Sequence, residues 1–478
     1  VTLALLGGAA PVPTAGRCRV QRLPTPPGVE LVEARQLAAG PFVAPDGTRT
    51  TIPETCRIRG IARPTRASRI AFELWLPATG WNGRYYQLGN GGFAGNIHLP
   101  SLAAEAARGN AAASTDTGHS GTGLDASWAA GQPEKVVDYG HRSIKATSDA
   151  ARSLIAAYYG RPARHRYYAG CSNGGRQALM AAARYPDDWD GILAGAPANP
   201  WTVQLAAHAA IQHQLRASPD AWLSPPKLSA IQRAALATCP REAGVIDGVA
   251  GDPRQCRFEP STIQCRGAET NDCLTDAQVQ SVRVLQQAGY EPTAAAMPGS
   301  WGEWVVQPDS DRPSQLTFAT EAMRYLAGRP QWTSSSFTED DATALRPLSG
   351  VLDARADELT RFRARGGRII SYFGWADPLI APRLGTRFYA EVAAASGGFS
   401  RARSFYRLFM VPGMGHCQGG AGPTSFGQSA PAPAAYDDAR HDVRRALEVW
   451  VEKGTPPETI VAAQPGTSAT RKLQPFRP

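Results

Sequence analysis

The run Tyr167-Tyr168-Ala169-Gly170-Cys171-Ser172-Asn173-Gly174-Gly175-Arg176-Gln177 sets a serine at the centre of a G-x-S-x-G pentapeptide. In a chain with 48 glycines those five letters alone could be a plain glycine-rich turn. Their flanks argue otherwise. An aromatic, apolar run precedes the serine and an Ala/Leu/Met-rich run follows it, which is the tight strand-to-helix turn that exposes a nucleophilic hydroxyl. Glycine is needed in such a turn because a side chain there would collide with the neighbouring strand or helix.

A serine hydroxyl becomes a useful nucleophile when an imidazole takes its proton, and a carboxylate fixes that imidazole's tautomer. Asp377 stands at the exit of the apolar run Ile369-Ile370-Ser371-Tyr372-Phe373-Gly374-Trp375-Ala376, and His416 follows Phe409-Met410-Val411-Pro412-Gly413-Met414-Gly415. Both fall just past strand-like runs, where a parallel sheet presents its functional edge. The competing readings are a helix-capping Asp before Pro378 and a zinc-type pair of His416 with Cys417. Asn173, after the serine, offers one backbone N–H to an oxyanion. A second should come from Leu88-Gly89-Asn90-Gly91-Gly92-Phe93-Ala94-Gly95, with Gly91 or Gly92 as donor. A phosphate loop would need G-K-[ST] or a dinucleotide-binding spacing, and neither is present.

Positioning these groups requires alternating strands and helices. Strand-like runs occupy 69–76, 84–88, 110–115, 166–169, 191–196, 367–372 and 404–411, with helical patterns at 139–159, 175–185 and 436–453. That alternation predicts an α/β architecture with a mostly parallel sheet. It lapses between 199 and 365, a stretch holding four cysteines, a turn-rich run at 240–260, and Trp201, Trp222, Trp301, Trp304 and Trp332. Strands resume after it. The expected organisation is therefore a core built from 1–198 and 366–478, with 199–365 inserted as a cap over the active edge.

The whole-chain numbers bound the rest. A chain of 478 residues with 43% hydrophobic content exceeds what one core usually sustains. The net charge of +9 comes almost entirely from scattered arginines, since only five lysines occur, and no basic stripe suits nucleic acid. No run reaches the roughly 18 apolar residues of a membrane helix. Residues 1–16 are either the remnant of an export signal or a mature strand or tail. Eight cysteines, two pairs of them closely spaced (Cys239 with Cys256, Cys265 with Cys273), favour disulfides and a secreted or periplasmic location.

Taken together, Cys171-Ser172, Asp377 and His416-Cys417 resemble the tannase/feruloyl esterase family of α/β-hydrolases, as do Asp116-Thr117-Gly118-His119, Asp138-Tyr139-Gly140-His141 and Trp450-Val451-Glu452-Lys453-Gly454. The resemblance runs over nearly the whole chain. It implies an α/β-hydrolase fold with a large inserted lid, a disulfide joining Cys171 to Cys417, and the pairs Cys18–Cys56, Cys239–Cys256 and Cys265–Cys273. It also implies a carboxylic ester hydrolase acting on small esters of aromatic acids: hydroxycinnamates on polysaccharide, gallates in polyphenols, or a terephthalate monoester. The lid's Trp301, Trp304 and Phe318 are candidate walls for such a ring. An acyltransferase and a catalytically silent binding module are the alternatives, and the complete residue set speaks against the second.

The sequence departs from the family in two places. Family members carry a calcium loop in the cap, with aspartates at alternating positions; here Pro240 and Ala243 stand at two of them and only Asp247 remains. With the Val245 and Val249 carbonyls that is too few oxygens for a hard dication, unless Glu242 or Asp252 swings in, so no metal or other cofactor is expected. Near the C-terminus, Gln474 replaces a common family cysteine.

Overall fold

A computed structural model describes residues 16, 18–45, 47, 49–307, 314–428 and 438–477. The expectation of an export remnant falls almost entirely outside them.

The strands are β1 (Val29–Leu37), β2 (Gly40–Val43), β3 (Arg49–Ile52), β4 (Thr55–Ala62), β5 (Ile70–Pro77), β6 (Arg84–Leu88), β7 (Ala111–Thr115), β8 (His165–Cys171), β9 (Gly191–Gly195), β10 (Arg368–Gly374), β11 (Tyr406–Val411), β12 (Ile460–Ala463) and β13 (Thr470–Leu473). Nine of them form one sheet in the order β1-β4-β5-β7-β6-β8-β9-β10-β11. The five pairings from β7 to β11 are parallel. The three from β1 to β7 are antiparallel. Parallel strands are covered on both faces, so they read as continuous apolar runs, and β7, β9 and β11 are buried throughout. In β8, Tyr168 packs on one face of the sheet while Tyr167 and Ala169 pack on the other.

Of the antiparallel wing, β5 was expected at 69–76, and β1 and β4 are the strands that the apolar runs did not announce. β1 reads Val-Glu-Leu-Val-Glu-Ala-Arg-Gln-Leu and is mostly solvent-facing, so it offers no apolar run to detect. Its partner β4 is tied to the N-terminal segment by the Cys18–Cys56 disulfide. The helices Ser143–Tyr159, Asn173–Arg184 and Pro382–Ser396 cover one face, and Leu99–Ala107 and Val443–Lys453 the other. The expected helix at 139–159 opens instead with a π-helical turn, Asp138–Arg142. The C-terminal helix starts later than expected because Asp442 caps it, accepting from the Arg444 and Arg445 amides. Residues 429–437 lie outside the described set.

The chain leaves the sheet after β9 and returns at β10, which pairs directly with β9. The intervening residues build an apolar core of their own around Ile211, Leu228, Val282, Leu285 and Trp301. They also share the main core through Trp201, Leu205 and Phe318. All eight cysteines are paired, as Cys18–Cys56, Cys171–Cys417, Cys239–Cys256 and Cys265–Cys273. No helix among the described residues is long and apolar enough to cross a membrane.

Candidate active site

Ser172 sits on the turn between β8 and the helix Asn173–Arg184 with φ +63° and ψ −126°. A non-glycine residue held there costs on the order of 1–3 kcal/mol, which the surroundings must offset. They do so by close packing. A Cβ on Gly170 would lie 2.7 Å from the Gly174 carbonyl carbon, one on Gly175 would lie 2.3 Å from the Gly195 oxygen, and one on Gly89 would lie 2.5 Å from the Gly174 Cα. The glycines flanking the serine are thus required by the approach of helix, strand and loop. The Ser172 amide bonds to the Gly195 carbonyl at 3.0 Å, anchoring the turn to β9.

His416 follows β11 and Asp377 follows β10, and their side chains meet with Nδ1 to Oδ2 at 2.8 Å. The Asp377 side chain is fully buried. Its other oxygen, Oδ1, accepts from the Leu379 and Ile380 amides, both at 2.9 Å. One carboxylate oxygen is therefore fixed by backbone and the other is left for the imidazole. The bond at Nδ1 leaves Nε2 as the nitrogen for proton exchange. Ser172 and His416 line one cavity of about 710 Å³, and Cys171 is bonded to Cys417 beside them.

Gly91 and Gly92 line the same cavity. In their loop the Gly89 amide bonds to Ala169 O, Asn90 to Gln177, Phe93 to Gly123 O, and Ala94 to Gly91 O, which leaves Gly91 and Gly92 as the candidate donors. Two buried side chains hold the carbonyls of this loop from behind. The Tyr139 hydroxyl lies 3.1 Å from Gly92 O and 3.1 Å from Asn173 Oδ1, and Trp201 Nε1 donates to it. His119 Nε2 is 2.8 Å from Phe93 O, with its ring stacked on Trp128 at 3.9 Å. Burial lowers the pKa of His119 to about 4, so it is neutral near pH 7 and donates through Nε2. Residue-type reasoning gave neither side chain a role, although both lie in the Asp-x-Gly-His segments already singled out.

Of the three expected ring contacts, Trp304 and Phe318 line the cavity, and Trp304 meets His416 edge to face at 5.6 Å. Trp301 does not. It is 1% exposed within the apolar core of the intervening segment, together with Val305 and Leu228; it precedes the π-helical turn Gly302–Val306 that carries Trp304, whose wider winding does not stack residues three apart as an α-helix does.

The Cys239–Cys256 loop does not suit a divalent cation. The Asp252 carboxylate is held by the Arg254 guanidinium at 2.9 and 2.7 Å, and Val249 O accepts from the Ile246 amide at 3.0 Å. Asp247 and Glu242 are then the carboxylates left within the loop, still short of the six to eight oxygens that calcium takes.

A family model described as tannase and feruloyl esterase matches residues 56–476. The chain belongs to this family. It is 39% identical over 474 residues to an uncharacterized esterase of Xanthomonas campestris, covering 92% of this chain and 82% of that protein. It is 32% identical over 423 residues to a probable feruloyl esterase B-2 of Aspergillus flavus, covering 86% and 80%. The crystal structure of feruloyl esterase B from Aspergillus oryzae superposes with a TM-score of 0.87 at 25% identity, covering 97% and 96%. This tannase/feruloyl esterase member is thus an α/β-hydrolase and a carboxylic ester hydrolase.

Proposed function

We propose that Ser172, His416 and Asp377 form a catalytic triad that hydrolyses esters of aromatic acids through an acyl-enzyme. The observation that carries this reading is the 2.8 Å bond from His416 to Asp377, on a cavity that also holds the elbow serine. Ser172 Oγ attacks the ester carbonyl carbon while His416 Nε2 takes the hydroxyl proton. The oxyanion rests on the amides of Asn173 and of Gly91 or Gly92. Collapse breaks the bond to the alcohol, whose oxygen receives the proton from His416. Water, deprotonated by the same imidazole, then attacks the acyl-serine and releases the acid.

Residues 199–365 act in this reading as a cap. Its Trp304 and Phe318 favour a flat acyl ring, which gains about 25 cal/mol per Å² of buried apolar surface and ring–ring contact besides. The substrate is a small aromatic ester, free or carried on polysaccharide or polyphenol, and hydrolysis proceeds without calcium. Four disulfides support a secreted or periplasmic enzyme. Methyl ferulate, methyl gallate and monohydroxyethyl terephthalate, assayed for acid release against a butyrate ester, test the substrate class. A higher kcat/KM for at least one aromatic ester is expected, and a preference for butyrate would overturn it.

A further inference from the structure

The backbone that carries Asp377 runs from β10 to the helix Pro382–Ser396, and five side chains of the proposed cap are bonded to it. Ser300 Oγ donates to Ala376 O at 3.2 Å, and Gln315 Nε2 to Pro378 O at 2.7 Å. The Tyr290 hydroxyl donates to Leu379 O at 2.9 Å, with His208 Nε2 against the same oxygen at 2.8 Å. Gln204 Oε1 accepts from the Ala381 amide at 3.0 Å, and its Nε2 reaches the Tyr290 hydroxyl at 2.8 Å. All five residues are fully buried, where a polar group without a partner is costly. They come from separate parts of the cap: the helices Trp201–Leu215 and Ser314–Glu321, Tyr290, and Ser300.

The two sides of this loop serve different partners. Its Leu379 and Ile380 amides hold Asp377 Oδ1, while its carbonyls are taken by the cap. Where the carboxylate points is therefore set by where the cap stands. The same cap elements face the cavity: Gln315 lies three residues before Phe318 on one helix, and Ser300 four residues before Trp304, with both aromatic rings on the cavity wall.

We propose that Gln204, His208, Tyr290, Ser300 and Gln315 are positioning residues through which the cap holds Asp377 against His416, so that the cap is a fixed part of the catalytic frame as well as a wall for the substrate. This rests on the reading of Asp377 as the acid of the triad. A hinged cover would have to break all of these buried bonds to open.

The test uses the full chain with Tyr290→Phe, Gln315→Met and the milder Ser300→Ala, beside Asp377→Asn, on the best ester of the panel. Each of the first two should lower kcat about tenfold with KM within about twofold, as small misplacements of catalytic groups do. Should either variant fail to fold, Ser300→Ala should show the same direction with a smaller loss. Folded variants with parental kcat, beside an inactive Asp377→Asn, would refute the positioning role and leave the triad standing. An active Asp377→Asn would remove the triad reading and this inference with it.

Discussion

Cys171 and Cys417 are separated by 246 positions in sequence yet share a disulfide, so the residue before Ser172 is covalently fixed to the residue after His416. β8 and β11 are not neighbours in the sheet, since β9 and β10 lie between them. The bond therefore spans the edge at which the two side chains converge. In the chain-entropy account, closing a loop of that length stabilises the fold by about 5 kcal/mol, and it also limits how far the two groups can part.

Reduction should accordingly inactivate the enzyme before it unfolds it. The Cys171→Ala/Cys417→Ala double variant should lose at least about tenfold in kcat while its far-ultraviolet circular dichroism stays that of the parent. Activity assays across a titration of reductant, followed by thiol mapping, check this. Free Cys171 and Cys417 thiols in the fully active native protein would contradict it.

Tyr139→Phe should lower kcat about tenfold and leave KM within about twofold. It loosens the Gly92 carbonyl and Asn173 without deleting either backbone donor, whereas removing a donor outright costs about a hundredfold or more. Because the phenyl ring can keep its packing, the melting temperature should shift little. Parental kcat in the folded variant would separate this hydroxyl from oxyanion binding.

His119 should make the protein acid-labile. Its folded pKa is depressed to about 4 by burial, whereas an unfolded histidine titrates near 6.5. Its contribution to stability is therefore complete above about pH 6.5 and is lost as pH falls towards 4, because only the unfolded chain binds the proton in that window. His119→Gln, which keeps a donor for Phe93 O, should lessen the dependence of stability on pH across that window by its own share, since burial lowers His141 and His208 to about 4 as well. Urea midpoints at pH 7.5 and pH 4.5 for both proteins measure it. An unchanged slope would show that His119 is not the group responsible.

Chelators should change neither activity nor melting temperature. A bound ion would stabilise the fold by RT ln(1 + [L]/Kd) and reveal itself as a calcium-dependent melting point. The Asp252 carboxylate is already neutralised by Arg254. A rise of several degrees with calcium would overturn this account of the loop.

The parts of the fold that hold the proposed site were legible because their constraints are local. The glycines around Ser172 answer to backbone approaches within a few ångströms, and the parallel strands needed apolar residues on both faces. Asp377 and His416 were legible because each ends such a strand. The outer strands of the antiparallel wing, β1 and β4, were not, since an edge strand such as β1 alternates charge with apolar residues and shares its burial with β4. Trp301 and Trp304 differ by three positions and look alike in sequence, but the π-helical turn Gly302–Val306, which the sequence did not announce, leaves the first in a core and the second on the cavity. Tyr139, His119 and Gln315 act through bonds to distant backbone carbonyls, and no residue type or spacing encodes a carbonyl as its partner.

Whether Ser172 carries the acyl group is read most directly from ester hydrolysis by Ser172→Ala, with the melting temperature taken on the same sample. Activity should fall below about a thousandth of the parent in a protein that melts within a few degrees of it, because the variant lacks the proposed nucleophile. A folded Ser172→Ala variant that retains more than that fraction would contradict the acyl-enzyme mechanism.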